Sequence, residues 1–122
     1  MTRFILLTAS LGLSATVLLA APMTGESAKG AVLTDAKGMT LYTFDTDKDG
    51  MSACYDACAT NWPPFLAADG DAAMGDFSLT ERTDGSHQWT FKGMPLYTWI
   101  KDAKPGDITG DGVKDVWHIA QP

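Results

Sequence analysis

After about residue 30, apolar residues along the chain alternate or cluster in short runs and almost nowhere recur at helical spacing. Ala31 to Leu33 and Met39 to Phe44 flank Thr34-Asp35-Ala36-Lys37-Gly38, whose Asp and Gly suit a tight turn, so a β-hairpin is expected there. Phe77 to Arg82 and His87 to Phe91 flank Thr83-Asp84-Gly85-Ser86. Asp-Gly accepts positive φ at both central positions of a turn, which predicts a second hairpin. Lys92-Gly93 turns into a strand over Met94 to Ile100, and Val116, Trp117 and Ile119 mark a closing strand within Asp115 to Ala120. Met51 to Thr60 is the only helical candidate; it is short, and Asn61-Trp62-Pro63-Pro64 cannot continue it. Leu66 to Gly75 is Ala, Asp and Gly without period and predicts a loop. The fold class is therefore mainly β, a small antiparallel sheet, barrel or sandwich of about six strands with one short helical turn.

The head of the chain differs in kind. Arg3 precedes an uncharged, mostly apolar run from Phe4 to Met23, the layout of a secretory signal peptide, expected over residues 1–21. An uncleaved anchor is the alternative, since about 18 to 20 apolar residues can just span a bilayer. Cleavage leaves residues 22–122, enough for one core and one domain, expected to be monomeric in the periplasm or outside the cell. Removing Arg3 leaves eight basic residues against fifteen acidic ones and takes the net charge from −6 to −7. Such a domain repels nucleic acid and anionic lipid, which leaves a protein or small-molecule partner; membrane contact is expected only if the leader stays. The charge either attracts cations or simply keeps an exported protein in solution.

An internal repeat carries the most information. Lys37-Gly38-Met39-Thr40-Leu41-Tyr42-Thr43-Phe44 with Asp47 matches Lys92-Gly93-Met94-Pro95-Leu96-Tyr97-Thr98-Trp99 with Asp102 at a constant offset of 55. Eight of the nine columns are identical or aromatic for aromatic, too many for chance. The repeat units run over about 30–66 and 77–122. On a strand, Tyr42 and Phe44 share one face, as do Tyr97 and Trp99, while Leu41 faces the other way. Those rings are either core packing in a pseudo-two-fold domain or a platform on which a ligand stacks.

The doubled pattern Tyr-x-aromatic-x-x-Asp, as Tyr42, Phe44, Asp47 and as Tyr97, Trp99, Asp102, resembles the signature of the predicted secreted repeat or lipoprotein family named for that motif. Cys54-x-x-x-Cys58-x-x-x-Trp62-Pro63-Pro64, Asp84-Gly85-x-x-Gln88 and Gly106-Asp107-x-x-Gly110-x-Gly112 running to Trp117 also match, so the likeness spans nearly all of the mature chain. The resemblance implies an exported bacterial repeat protein without an established activity. Unlike the lipoprotein members, this chain has no lipobox cysteine, so the resemblance does not extend to lipid anchoring.

Two constellations carry candidate chemistry. Cys54 and Cys58, the only cysteines, form either a disulfide that fixes the local turn against Trp62 or, if reduced, a thiolate pair for redox work or for a soft ion such as copper. His118 or His87 would then supply a third ligand. Asp45-x-Asp47-x-Asp49-Gly50, with Asp56 at the twelfth position, reproduces half of a calcium-binding loop, although the usual long Glu and flanking helices are missing. Asp107-x-Thr109-x-Asp111-Gly112, with Asp115 beyond, echoes it. No nucleophile has a base identifiable from sequence, and no phosphate loop is present, so an enzyme is not expected. The function expected is binding or structural work, with a metal-handling or redox accessory role as the alternative.

Overall fold

The computed structural model describes residues 21–122, so the expected leader lies, but for Ala21, outside the described residues. The chain forms β1 (Met23–Ser27), β2 (Gly30–Thr34), β3 (Tyr42–Phe44), α1 (Ala57–Asn61), β4 (Phe77–Glu81), β5 (His87–Phe91), β6 (Met94–Pro95) and β7 (Trp117–Ile119), with a 3-10 turn at Val113–Asp115 before the last strand. Among the described residues the strands are antiparallel and make three small sheets, β1-β2, β3-β7 and β4-β5-β6, and no closed barrel forms.

The hairpin expected at the Asp-Gly turn is present, with Phe77 paired to Phe91 and Glu81 to His87. The first hairpin differs. Strand β2 takes its full ladder from β1, and what remains of the expected pairing is a tight turn in which Asp35 N–H donates to Met39 O and Leu41 N–H to Leu33 O. The Asp35 carboxylate holds that turn by accepting from the N–H groups of Lys37 and Met39, both at 2.9 Å. Met-Thr-Gly-Glu-Ser has no apolar alternation to mark it as a strand, because β1 is largely solvent-facing and is held by main-chain bonds. The helix is shorter than Met51 to Thr60: it begins after Asp56, whose φ of 56° is left-handed, and ends at Trp62 before the prolines. Likewise only Met94–Pro95 of the expected Met94 to Ile100 strand joins a ladder, and Tyr97 makes single bridges.

The two repeats meet at their tyrosines. Tyr42 and Tyr97 are an antiparallel pair exchanging both main-chain bonds, at 2.8 and 3.0 Å, so a pseudo-two-fold axis passes between them. The offset of 55 then governs contacts well beyond the motif. Ala120 N–H donates to Leu41 O as Phe65 N–H does to Leu96 O, both at 2.9 Å, and Asp45 N–H donates to Val116 O as Ile100 N–H does to Asn61 O. The pleat separates two cores across this pair. Leu41 and Leu96 point into one with Leu33, Trp89 and Ala120; Tyr42 and Tyr97 point into the other with Cys54, Trp62 and Trp117.

Candidate functional site

The second core is a column of rings. Phe44 and Trp117 are opposed across the β3-β7 ladder and stack at 4.1 Å and 6°. Trp99 and Trp62, their equivalents at the same offset, stack at 3.9 Å and 24°. Trp62 and Trp117 then meet across the axis at 3.8 Å and 2°, giving one continuous stack, Phe44-Trp117-Trp62-Trp99. The two central indoles are 5% and 3% exposed, whereas the outer rings are half-buried. Tyr42 presses edge-on to Trp62 at 5.4 Å, and Tyr97 edge-on to Trp117 at 5.2 Å, the arrangement that the ring quadrupoles favour.

Each tyrosine reaches the aspartate of the other repeat. Tyr42 Oη donates to Asp102 Oδ2 at 2.6 Å, and Tyr97 Oη donates to Asp47 Oδ2 at 2.7 Å. The second oxygen of each carboxylate caps a loop: Asp47 Oδ1 accepts from Ala53 N–H, and Asp102 Oδ1 from the N–H and hydroxyl of Thr109. Gly110 N–H donates to the Tyr42 oxygen, and the Ser52 hydroxyl lies 2.7 Å from that of Tyr97. Burial holds both phenols well above their ordinary range, and the neighbouring carboxylates push the same way. Burial also raises the Asp47 carboxyl, against the opposing pull of the Tyr97 hydroxyl, the Ala53 N–H and the charge of Arg82. Arg82, itself buried, donates to Gln88 Oε1, Ser52 Oγ and Cys54 O and lies over the Tyr55 ring.

This geometry accounts for the motif: its Tyr and Asp cross-pin the repeats, and its aromatic residue closes one end of the stack. The family model matches residues 23–65 and 78–121, one match per repeat. The chain belongs to this family, described as a secreted repeat of unknown function. No curated protein and no solved structure matches it. Membership supports export of this secreted repeat. No helix among the described residues is long and apolar enough to cross a membrane.

The remaining sequence candidates fall into separate places. Cys54 and Cys58 are joined as a disulfide, with Cα atoms 5.2 Å apart, beside the stack; Trp62 N–H donates to Cys58 O. The bridge occupies both thiols that the copper reading requires. His118 pairs instead with Asp45, Nε2 to Oδ2 at 2.8 Å, and His87 sits exposed on β5 opposite Glu81. The four aspartates of the calcium-like loop are not gathered. Asp45 faces His118, Asp47 is committed to Tyr97 and Ala53, and Asp49 and Asp56 sit at backbone positions of positive φ. Among the described residues no three of His, Cys, Asp and Glu converge to hold a metal ion. In the echo, Asp107 caps Ala103 and Lys104, and Asp111 binds Lys29 Nζ and Ile119 N–H. Pro63 and Pro64 carry Trp62 out of the helix; Pro63 O accepts from Thr98 N–H, and Pro64 bridges Tyr97.

A cleft of about 460 Å³ runs beside the stack. Phe44, Trp62, Trp99 and Trp117 line it, and Thr46, Asn61 and Lys114 add polar groups. A second cleft of similar volume, more apolar, lies among Leu33, Phe77, Phe91 and Lys92 and is lined by none of the motif's tyrosines, aromatic partners or aspartates. The cleft beside the stack is the candidate site because the paired motif rings Phe44 and Trp99 of both repeats line it. Sequence reasoning found Trp62 and Trp117 separately but missed that they are partners, although they too stand 55 apart. Ser52 and Arg82, which brace Tyr97 and the cysteine loop, gave no sequence signal.

Proposed function

We propose that this exported secreted repeat is a binding module, whose ligand is a flat, anionic small molecule held in the cleft beside the ring stack. The observation that carries the reading is the partly buried pair of outer rings, Phe44 and Trp99, bordering a cleft that also holds Lys114, Asn61 and Thr46. The volume suits a small organic ligand. Each good ring contact contributes roughly 0.5 to 1.5 kcal/mol, so a flat ring against this surface plus one ammonium supports micromolar to millimolar affinity. The lysine favours an anionic substituent against an overall acidic chain.

Intrinsic tryptophan fluorescence reports directly on the site. Titration with naphthalene sulfonate and with flavin mononucleotide should quench the emission saturably, and Lys114→Ala should weaken binding about tenfold, the equivalent of roughly 1.4 kcal/mol, at unchanged thermal stability. If neither probe changes the emission up to millimolar concentration, the rings are core packing and the binding reading fails.

A further inference from the structure

Stacked indoles and hydrogen-bonded phenols are also the parts from which an electron relay is made. We propose that the two-fold aromatic core is a one-electron relay: Trp99, Trp62 and Trp117 pass an oxidising equivalent inward, and the Tyr97-Asp47 and Tyr42-Asp102 pairs receive it. The proposal rests on the ring column and its two phenol-carboxylate pairs, not on a ligand in the cleft.

Three observations carry it. Trp62 and Trp117 lie parallel, 3.8 Å apart and shielded from water, so a hole is shared over two rings, which lowers the energy needed to remove an electron. Trp99 extends the stack at 3.9 Å to a partly exposed ring, where a one-electron oxidant can reach it. Each phenol stands edge-on to one of the central indoles and already points its proton at a carboxylate, at 2.6 or 2.7 Å.

An oxidised phenol is a strong acid and needs a base within hydrogen-bond reach, and both tyrosines have one. Neither carboxylate is spare solvent-facing charge: Asp47 is 6% and Asp102 8% exposed. The Asp47 carboxyl, raised by burial, is the better proton acceptor for it.

The steps balance. A one-electron oxidant, a metal complex in its higher oxidation state, takes one electron from Trp99 and is reduced by one. The hole moves by electron transfer from the Trp62-Trp117 pair to Trp99. Tyr97 then gives one electron to the indole pair and its Oη proton to Asp47 Oδ2, leaving a neutral tyrosyl radical and a protonated carboxyl; alternatively the same single hole is taken by Tyr42, with its proton passing to Asp102. A one-electron reductant, such as a thiolate that becomes a thiyl radical, reduces the tyrosyl radical to phenolate, and the carboxyl returns the proton.

Flash-quench oxidation of the intact mature protein by photogenerated tris(bipyridine)ruthenium(III) tests this. The expected transient is a near-infrared band of a hole shared between two stacked indoles, decaying into a tyrosyl signal seen by electron paramagnetic resonance. Trp62→Phe, which removes both indole–indole contacts but keeps a ring in the column, should abolish the near-infrared band. With Tyr55→Phe as the common background, so that the third tyrosine gives no signal, Tyr97→Phe should lower the tyrosyl yield, and addition of Tyr42→Phe should remove it and prolong the indole signal. Should the variant lacking both core phenols fail to fold, the lower yield in Tyr97→Phe and the loss of the band in Trp62→Phe still decide. A wild-type protein that gives only a localised indole radical, with the same yield and lifetime in Trp62→Phe, would overturn the relay and leave ligand binding in the cleft untouched.

Discussion

Replacing Tyr97 by Phe removes one hydroxyl and leaves its ring packed against Trp117, so the loss reports that hydroxyl's bonds to Asp47 and Ser52. The bond to Asp47 is 2.7 Å long and its acceptor is 6% exposed, which leaves water little room to substitute. A hydrogen bond to a charged group contributes about 1.5 to 3 kcal/mol, and Asp47 keeps Ala53 N–H and Arg82, so the single variant should lose roughly 2 to 3 kcal/mol. In a domain near 100 residues each kcal/mol lowers Tm by about 4 to 8 °C, so a fall of roughly 10 to 20 °C is expected. The sharper test is which aspartate answers. Urea unfolding of double-mutant cycles, with the disulfide intact, should give a coupling of about 1.5 to 3 kcal/mol for Tyr97→Phe with Asp47→Ala and for Tyr42→Phe with Asp102→Ala. The pairs within one repeat, Tyr42 with Asp47 and Tyr97 with Asp102, share no hydrogen bond and should be additive within about 0.5 kcal/mol. Coupling that follows the repeat rather than crossing it would refute the cross-pinned core.

Two further outcomes follow from the same site. Gly110→Ala would set its Cβ 2.8 Å from Trp62 Cη2 and 3.0 Å from Trp99 Cδ1; the stack cannot yield cheaply, so a loss of roughly 1 to 3 kcal/mol is expected, read by thermal unfolding. Alkaline titration followed by ultraviolet absorbance should leave two phenols, Tyr42 and Tyr97, un-ionised past the ordinary value of about 10. Because both folded values are raised, their contribution to stability is fully present below about pH 10 and is lost as pH rises toward the folded values, so the two should ionise together with unfolding, and Tyr97→Phe should shift that transition to involve one phenol fewer.

The repeat, the strand alternation that puts Leu41 and Leu96 on one side and the tyrosines on the other, the Asp-Gly hairpin and the membership in a secreted family are all legible in the order of residues. These are local matters: side chains alternate with a period of two, and a turn residue shows its preference within four positions. Partnership is not local. That Tyr97 belongs to Asp47 and Tyr42 to Asp102, that Trp62 lies on Trp117, and that Met23–Ser27 rather than Met39–Phe44 ladders with β2 was decided only when the two halves closed around their axis. Alternation says which face a ring occupies, but burying that face can be done by many neighbours, and the chain settles on the one arrangement in which both repeats satisfy their buried hydroxyls and carboxylates at once. The Asp-rich loop shows the same limit: its spacing suggested a calcium site, but in the folded protein Asp47 turns inward to a phenol from the other repeat and Asp45 outward to His118, because an inward carboxylate is tolerated only where a donor meets it.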